Sequence, residues 1–282
     1  MKPQLIVPLA VAVCLLGIGS AGLVGLSAGE PVLENTVAPQ ATAATPARVS
    51  VLAIASGGKF LGDDIGGAMI SIRDARTQEL LAAGRTHGGS GRSDLPDIPV
   101  TRLEPIPNEG AAVFETTVMI DGPRLVEVTG YGPLAAQGAA TRVSTTKWLL
   151  PSGQDGGENR PLLHFPGLIV QILSPPTHFL PATPPPLRID FRANVTMMCG
   201  CPVGPETPWR PEDYQVKAVV TEPSGARHEV PLRYDIDAPD KAPSQFVGSW
   251  VAPTSGIYEA VVTAHQRSFD NTGVDHVTFI LP

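Results

Sequence analysis

From Val49 onward the chain is a succession of short runs in which apolar and polar residues alternate, parted by Gly, Pro, Asn and Asp. Val49-Ser50-Val51-Leu52-Ala53-Ile54 opens the pattern. Ala68-Met69-Ile70-Ser71-Ile72-Arg73-Asp74 then alternates cleanly and returns, after the polar turn Ala75-Arg76-Thr77-Gln78, as Leu80-Leu81-Ala82-Ala83-Gly84. A period of two over such lengths predicts half-buried strands. Ala112–Ile120 and Arg124–Tyr131 read as a hairpin across Asp121-Gly122-Pro123. A second set comprises 167–173, 187–195, 214–220, 228–232, 246–250, 257–265 and 274–281, with turns roughly every ten residues, the spacing of an all-β sandwich. The 30 prolines exclude long helices.

The pattern therefore predicts an all-β protein, two β-sandwich domains in series over 48–150 and 165–282, joined by a hydrophilic linker at 151–164. Ahead of them, residues 30–47 are rich in Ala, Thr and Pro and read as a flexible linker. Residues 1–29 are an export element, with Lys2, an apolar stretch from Leu5 to Leu26, and small residues at Ser20-Ala21-Gly22 and Ser27-Ala28-Gly29. The stretch fits a cleaved signal peptide and is also long enough to span a bilayer, so a membrane anchor through residues 5–26 is the alternative. Either way the bulk of the chain is expected outside the cytoplasm: periplasmic, secreted or membrane-anchored.

Over 282 residues, 43% are apolar and 17% charged, and the net charge is −7. That balance excludes nucleic acid as a partner, since phosphate binding needs a basic surface. An excess of Arg over Lys with abundant Ala, Gly and Pro points to a GC-rich bacterial source.

Gly66-Gly67-Ala68, the alternating strand, the polar turn, Leu80-Leu81-Ala82 and Thr86 give the first domain a resemblance to transthyretin-like and carboxypeptidase regulatory-like sandwiches. His87 and the insertion from Gly88 to Pro107 depart from that pattern. Ser255-Gly256-Ile257-Tyr258-Glu259-Ala260-Val261-Val262 makes the second domain resemble bacterial immunoglobulin-like and fibronectin III-like sandwiches, without the Cys-Trp-Cys core of antibody domains. Such domains are usually accessory modules, which implies a binding role rather than catalysis.

The strongest chemical signal is Cys199-Gly200-Cys201, inside Thr196-Met197-Met198-Cys199-Gly200-Cys201-Pro202; the remaining cysteine, Cys14, lies in the export element. Two sulfurs one residue apart can clamp a loop as a disulfide, exchange disulfides, or hold a soft ion such as copper(I) with Met198. An oxidising compartment favours a disulfide or a bound metal over free thiols. Alternation places Met197 in the core and Met198 outside. If Asn271-Thr272 is the loop of the last hairpin, Ala264 faces Phe279, His265 opposes Thr278 and His276 opposes Arg267. The two imidazoles would then be diagonal neighbours, roughly 7–8 Å apart and within reach of one metal ion. Trp209, beside Pro208 and Arg210, is a candidate for partner contact or for capping the core. Asp235, Asp237 and Asp240 could hold Ca²⁺ but match no EF-hand. Gly57-Gly58-Lys59 and His87-Gly88-Gly89-Ser90-Gly91 complete no phosphate-binding pattern and read as loop tips.

The expectation is a non-enzymatic extracytoplasmic binding or scaffold protein of the bacterial cell envelope, needing no cofactor. Its partner would be another envelope protein or a surface polymer. The alternative is a copper-binding or thiol-redox protein centred on Cys199 and Cys201.

Overall fold

The computed structural model describes residues 43–94, 109–152, 159–238 and 242–282. The export element with Cys14, most of the first linker, the centre of the second linker and Asp240 lie outside the described residues. Residues 41–282 form one compact unit.

Among the described residues, eight strands build the first sandwich: β1 (Thr45–Ala55), β2 (Met69–Asp74), β3 (Leu80–Arg85), β4 (His87–Ser90), β5 (Ala111–Ile120), β6 (Arg124–Gly132), β7 (Thr141–Leu149) and β8 (Leu162–Phe165). One sheet has the order β4-β5-β1-β8, the other β3-β2-β6-β7. β1 is central and apolar on both faces. Val49, Val51 and Ala53 look into the main core with Ile70, Ile72, Val118, Val126 and Val128. Leu52 and Ile54 form a smaller cluster beneath Phe60 on the opposite face. That explains why Val51-Leu52-Ala53-Ile54 is a continuous apolar run rather than an alternating one.

The expected hairpin between Ala112–Ile120 and Arg124–Tyr131 does not form. β5 pairs with β1 and β4, whereas β6 pairs with β2 and β7, so the chain crosses from one sheet to the other at Asp121-Gly122-Pro123. Ile120 and Val126 are both fully buried. They belong to opposing faces of one core, and alternation alone cannot tell that arrangement from two strands side by side. Arg124 clips the crossing in place, its Nε 2.7 Å from Asp74 Oδ2 and its other arm 2.8 Å from Glu79. The linker expected over 151–164 is also shorter than supposed. Asn159 is buried and bonded to Arg48 and Leu150, and β8 runs parallel to β1, so only Pro166-Gly167 separates the sandwiches.

The second sandwich comprises β9 (Leu168–Ser174), β10 (Leu187–Met197), β11 (Tyr214–Thr221), β12 (Arg227–Tyr234), β13 (Gln245–Ala252), β14 (Gly256–Gln266) and β15 (Asn271–Leu281). Its strands follow the order β15-β14-β11-β12-β13-β10-β9. β12 and β13 share only Arg233↔Val247 and Tyr234↔Phe246, and there the sheet folds over on itself. Three strands thus face four, the arrangement of immunoglobulin-like and fibronectin III-like sandwiches. The open side is drawn together where Ile172 N donates to Asp275 Oδ2 at 2.8 Å. Tyr258, stacked on Phe279 with ring centroids 5.2 Å apart, donates its hydroxyl to Thr254 O at 2.6 Å. This is a tyrosine corner, a hallmark of such sandwiches. The free edge of β15 is covered near its end, where His178 N bonds to Thr278 O and Ile280 N to Phe179 O.

Candidate functional site

Cys199-Gly200-Cys201 forms the turn that ends β10. Met197 N donates to Cys201 O and Gly200 N to Met197 O, and Gly200 takes a left-handed φ of +75° that a side chain would resist. Cys199 and Cys201 are free, buried cysteines whose Sγ atoms lie 2.6 Å apart. Burial pushes both thiols up. At Cys199, contact with the Cys201 sulfur and the N–H of Lys59 outweigh it and hold this thiol below its ordinary range. The adjacent Cys199 sulfur and burial drive Cys201 far above its own.

Neither methionine is exposed, which corrects the expectation for Met198. The strand ends at Met197, and the turn carries Met198 under the loop at Gly167, so both are buried. Met197 is the one on the thiol side: its methyl and Cys199 Sγ close on the same spot beside Gly58, and its sulfur accepts the Tyr214 hydroxyl at 2.9 Å. Met198 instead packs against Gly167, where an added Cβ would meet its sulfur at 3.7 Å.

The histidines do not converge. β14 and β15 pair as Gln266↔Asn271, His265↔Thr272 and Val261↔His276, with the turn at 267–270. The two imidazoles belong to rungs four residues apart along β15, about 13 Å. Face assignments survive, with Ala264 and Phe279 both inside, but the register differs. His265 instead bonds Asp270 at 2.9 Å. Tertiary contacts set the loop: Asp213 receives Arg267 N on its carbonyl and Ser268 N on its carboxylate. Of the three candidate Ca²⁺ ligands, Asp235 is occupied by Arg192 at 2.7 Å. Among the described residues no three His, Cys, Asp or Glu side chains gather closely enough to hold a metal.

What the cysteine turn does touch is the first sandwich. The turn that follows β1, Ser56-Gly57-Gly58-Lys59, is gripped by the second sandwich at each step. Asn271 Nδ2 donates to Ser56 O at 2.9 Å, Trp209 Nε1 to Gly57 O at 2.8 Å, and Lys59 N to Cys199 Sγ at 3.4 Å. Phe269 lies so close over Gly57 that a Cβ there would meet its ring at 2.4 Å, and Gly57 has φ +63°. Gly200 approaches Ile65 from the other side. Trp209, weighed as an exposed partner contact, is only 7% accessible and is a wedge in this junction. Asn271 completes the lock by accepting Gly167 N and donating to Gln266 Oε1.

Sequence reading isolated Cys199, Cys201 and Trp209, took Gly57-Gly58-Lys59 for a loop tip and Asn271 for a hairpin loop, and did not single out Phe269. A Gly-Gly doublet directly after a continuous apolar strand was the available signal for close backbone approach.

No protein-family model matches the chain, and no curated protein matches it. A solved structure of Clostridium thermocellum CbhA fibronectin(III)-like modules aligns over 83% of this chain and 90% of that chain, at 11% identity and a TM-score of 0.27.

Proposed function

We propose that the chain is a non-enzymatic extracytoplasmic binding or scaffold protein of the bacterial cell envelope. The observation that supports this reading most is the junction. The side chains with the sharpest chemistry, Cys199 and Cys201, are buried in the turn that meets the first sandwich, and Cys199 Sγ accepts Lys59 N across the junction. A pair of sandwiches fixed at such a junction would present its strand faces and outer loops at a set spacing, which is what a scaffold requires.

A second reading, thiol-redox or copper handling, draws on the closeness of the two sulfurs. Two sulfurs on one metal, each at about 2.3 Å in tetrahedral geometry, stand about 3.8 Å apart. The pair at 2.6 Å would have to spread to accept an ion.

The deciding experiment replaces both cysteines, Cys199→Ser with Cys201→Ser. The scaffold reading expects partner recovery from the envelope after crosslinking to be unchanged, with a fall of about 1–3 kcal/mol in stability from the buried polar replacements. Loss of partner recovery by the folded variant, or of stoichiometric copper(I) uptake that the wild type shows by elemental analysis, would instead make the pair the functional centre.

A further inference from the structure

The end of the first sandwich remote from the junction carries an open recess beside an exposed tryptophan. β1 spans eleven residues, so this end lies about 35 Å from Ser56. An open recess of ≈ 500 Å³ is set there, lined among others by Trp148, Met119, Asp74, Arg124, Arg76 and Asp121. Its size falls within the range of about 300–1,000 Å³ usual for small-ligand sites and leaves room for a short oligosaccharide. Trp148, on β7 opposite Leu125, is 50% exposed, and Met119 is 54% exposed.

The wall behind them is already organised. Asp74 Oδ1 accepts the N–H groups of Arg76 and Thr77 at 2.8 Å each, and its other oxygen holds Arg124. On the rim, the Arg76 and Asp121 side chains make no hydrogen bond or ion pair among the described residues. Among the described residues, the recess thus offers a cation and an anion with no side-chain partner, beside an exposed indole.

This mixture selects its occupant by charge. A polyanion would need several free cations, and an anionic bilayer surface a basic patch. A ligand with a flat C–H face and hydroxyls that both donate and accept would use all three groups. Its ring would lie on the indole, Arg76 would donate to one hydroxyl, and Asp121 would accept from another. We infer that this recess binds a neutral glycan chain of the cell surface. The inference rests on the envelope-binding reading and gives it a ligand class.

The test is co-sedimentation of the detergent-solubilised full-length chain with three uncharged polysaccharides, insoluble chitin, cellulose and β-1,3-glucan. Retention on at least one is expected. Trp148→Ala should weaken it about tenfold or more, and Trp148→Phe should restore most of it. The double variant Arg76→Ala with Asp121→Ala should also lose retention. Ile236→Ala, at an exposed apolar residue elsewhere (77% accessible), should not. Retention undiminished in Trp148→Ala overturns the site, and failure of the wild type on all three polysaccharides overturns the glycan. Either result leaves the scaffold reading to stand or fall on its own crosslinking experiment. Loss of a crosslinked protein partner in Trp148→Ala, without polysaccharide retention by the wild type, would reassign the recess to a protein ligand.

Discussion

At the scale of single residues, Asp74 shows how much one side chain can organise. Its carboxyl is held well below the usual carboxylate range, first by the Arg124 guanidinium and then by the N–H groups of Thr77 and Arg76. The unfolded chain takes up a proton at the ordinary carboxylate value of about 4, before the folded protein does. Stability from this group is therefore fully present above about pH 4 and declines as the pH falls toward the depressed folded value. Asp74→Asn is expected to be less stable than wild type at pH 7 and to show a flatter decline between about pH 4 and 2, read from thermal midpoints across that range. A variant as acid-sensitive as wild type would remove Asp74 from this role. Gly57 works by opposite means: it contributes no side chain, and the junction closes because Phe269 can occupy the space.

At the scale of elements, the sequence was most legible where one face is buried and one is wet. β2, β10 and β14 alternate in burial as their residues do. β1 was legible as a strand but not as one covered on both faces, because its cover, Phe60, arrives from the following turn. Pairing was the part that alternation could not specify. A shift of the β14–β15 register by an even number of residues preserves every face, so the apolar pairs that supported the expected register fit the observed one equally well. The loop is decided by Asp213, far away in sequence. The candidate site suffered in the same way: the cysteines and Trp209 were visible as residue types, but their neighbours came from elements no local pattern links. One element-level feature with a local signature is the tyrosine corner. Tyr258→Phe should cost about 1–2 kcal/mol by leaving Thr254 O without its hydroxyl donor, measurable by urea unfolding, with the fold retained in circular dichroism. No measurable loss would mean that solvent replaces that bond.

At the scale of the whole molecule, the two sandwiches are joined by far more than their covalent connection. The Ser56–Lys59 turn, Trp209, Phe269 and Asn271 form a junction whose polar groups are bonded to one another. Coupling of this kind predicts a single cooperative unfolding transition by calorimetry, with both sandwiches melting together. Trp209→Ala combined with Asn271→Ala removes a buried aromatic and its neighbouring hydrogen bonds, of order 3–5 kcal/mol at the junction. The expected thermogram then splits into two transitions, the first at lower temperature. A single unshifted peak would show that the sandwiches are held by other contacts.

The direction in which the end strands run has a mechanical consequence. β1 runs from Thr45 toward the junction, and β15 runs from Asn271 at the junction out to Leu281. Tension applied between the two ends of the chain would pull each of these strands lengthwise along its neighbours. β1 is held by β5 along Thr45–Leu52 and by β8 along Leu52–Ala55, and β15 by β14 along its whole length. Loaded in that direction, the ladder bonds share the force and must give way together instead of opening one at a time from an end. The strand layout gives a body attached by its first strand and stretched from its last the geometry of a load-bearing link.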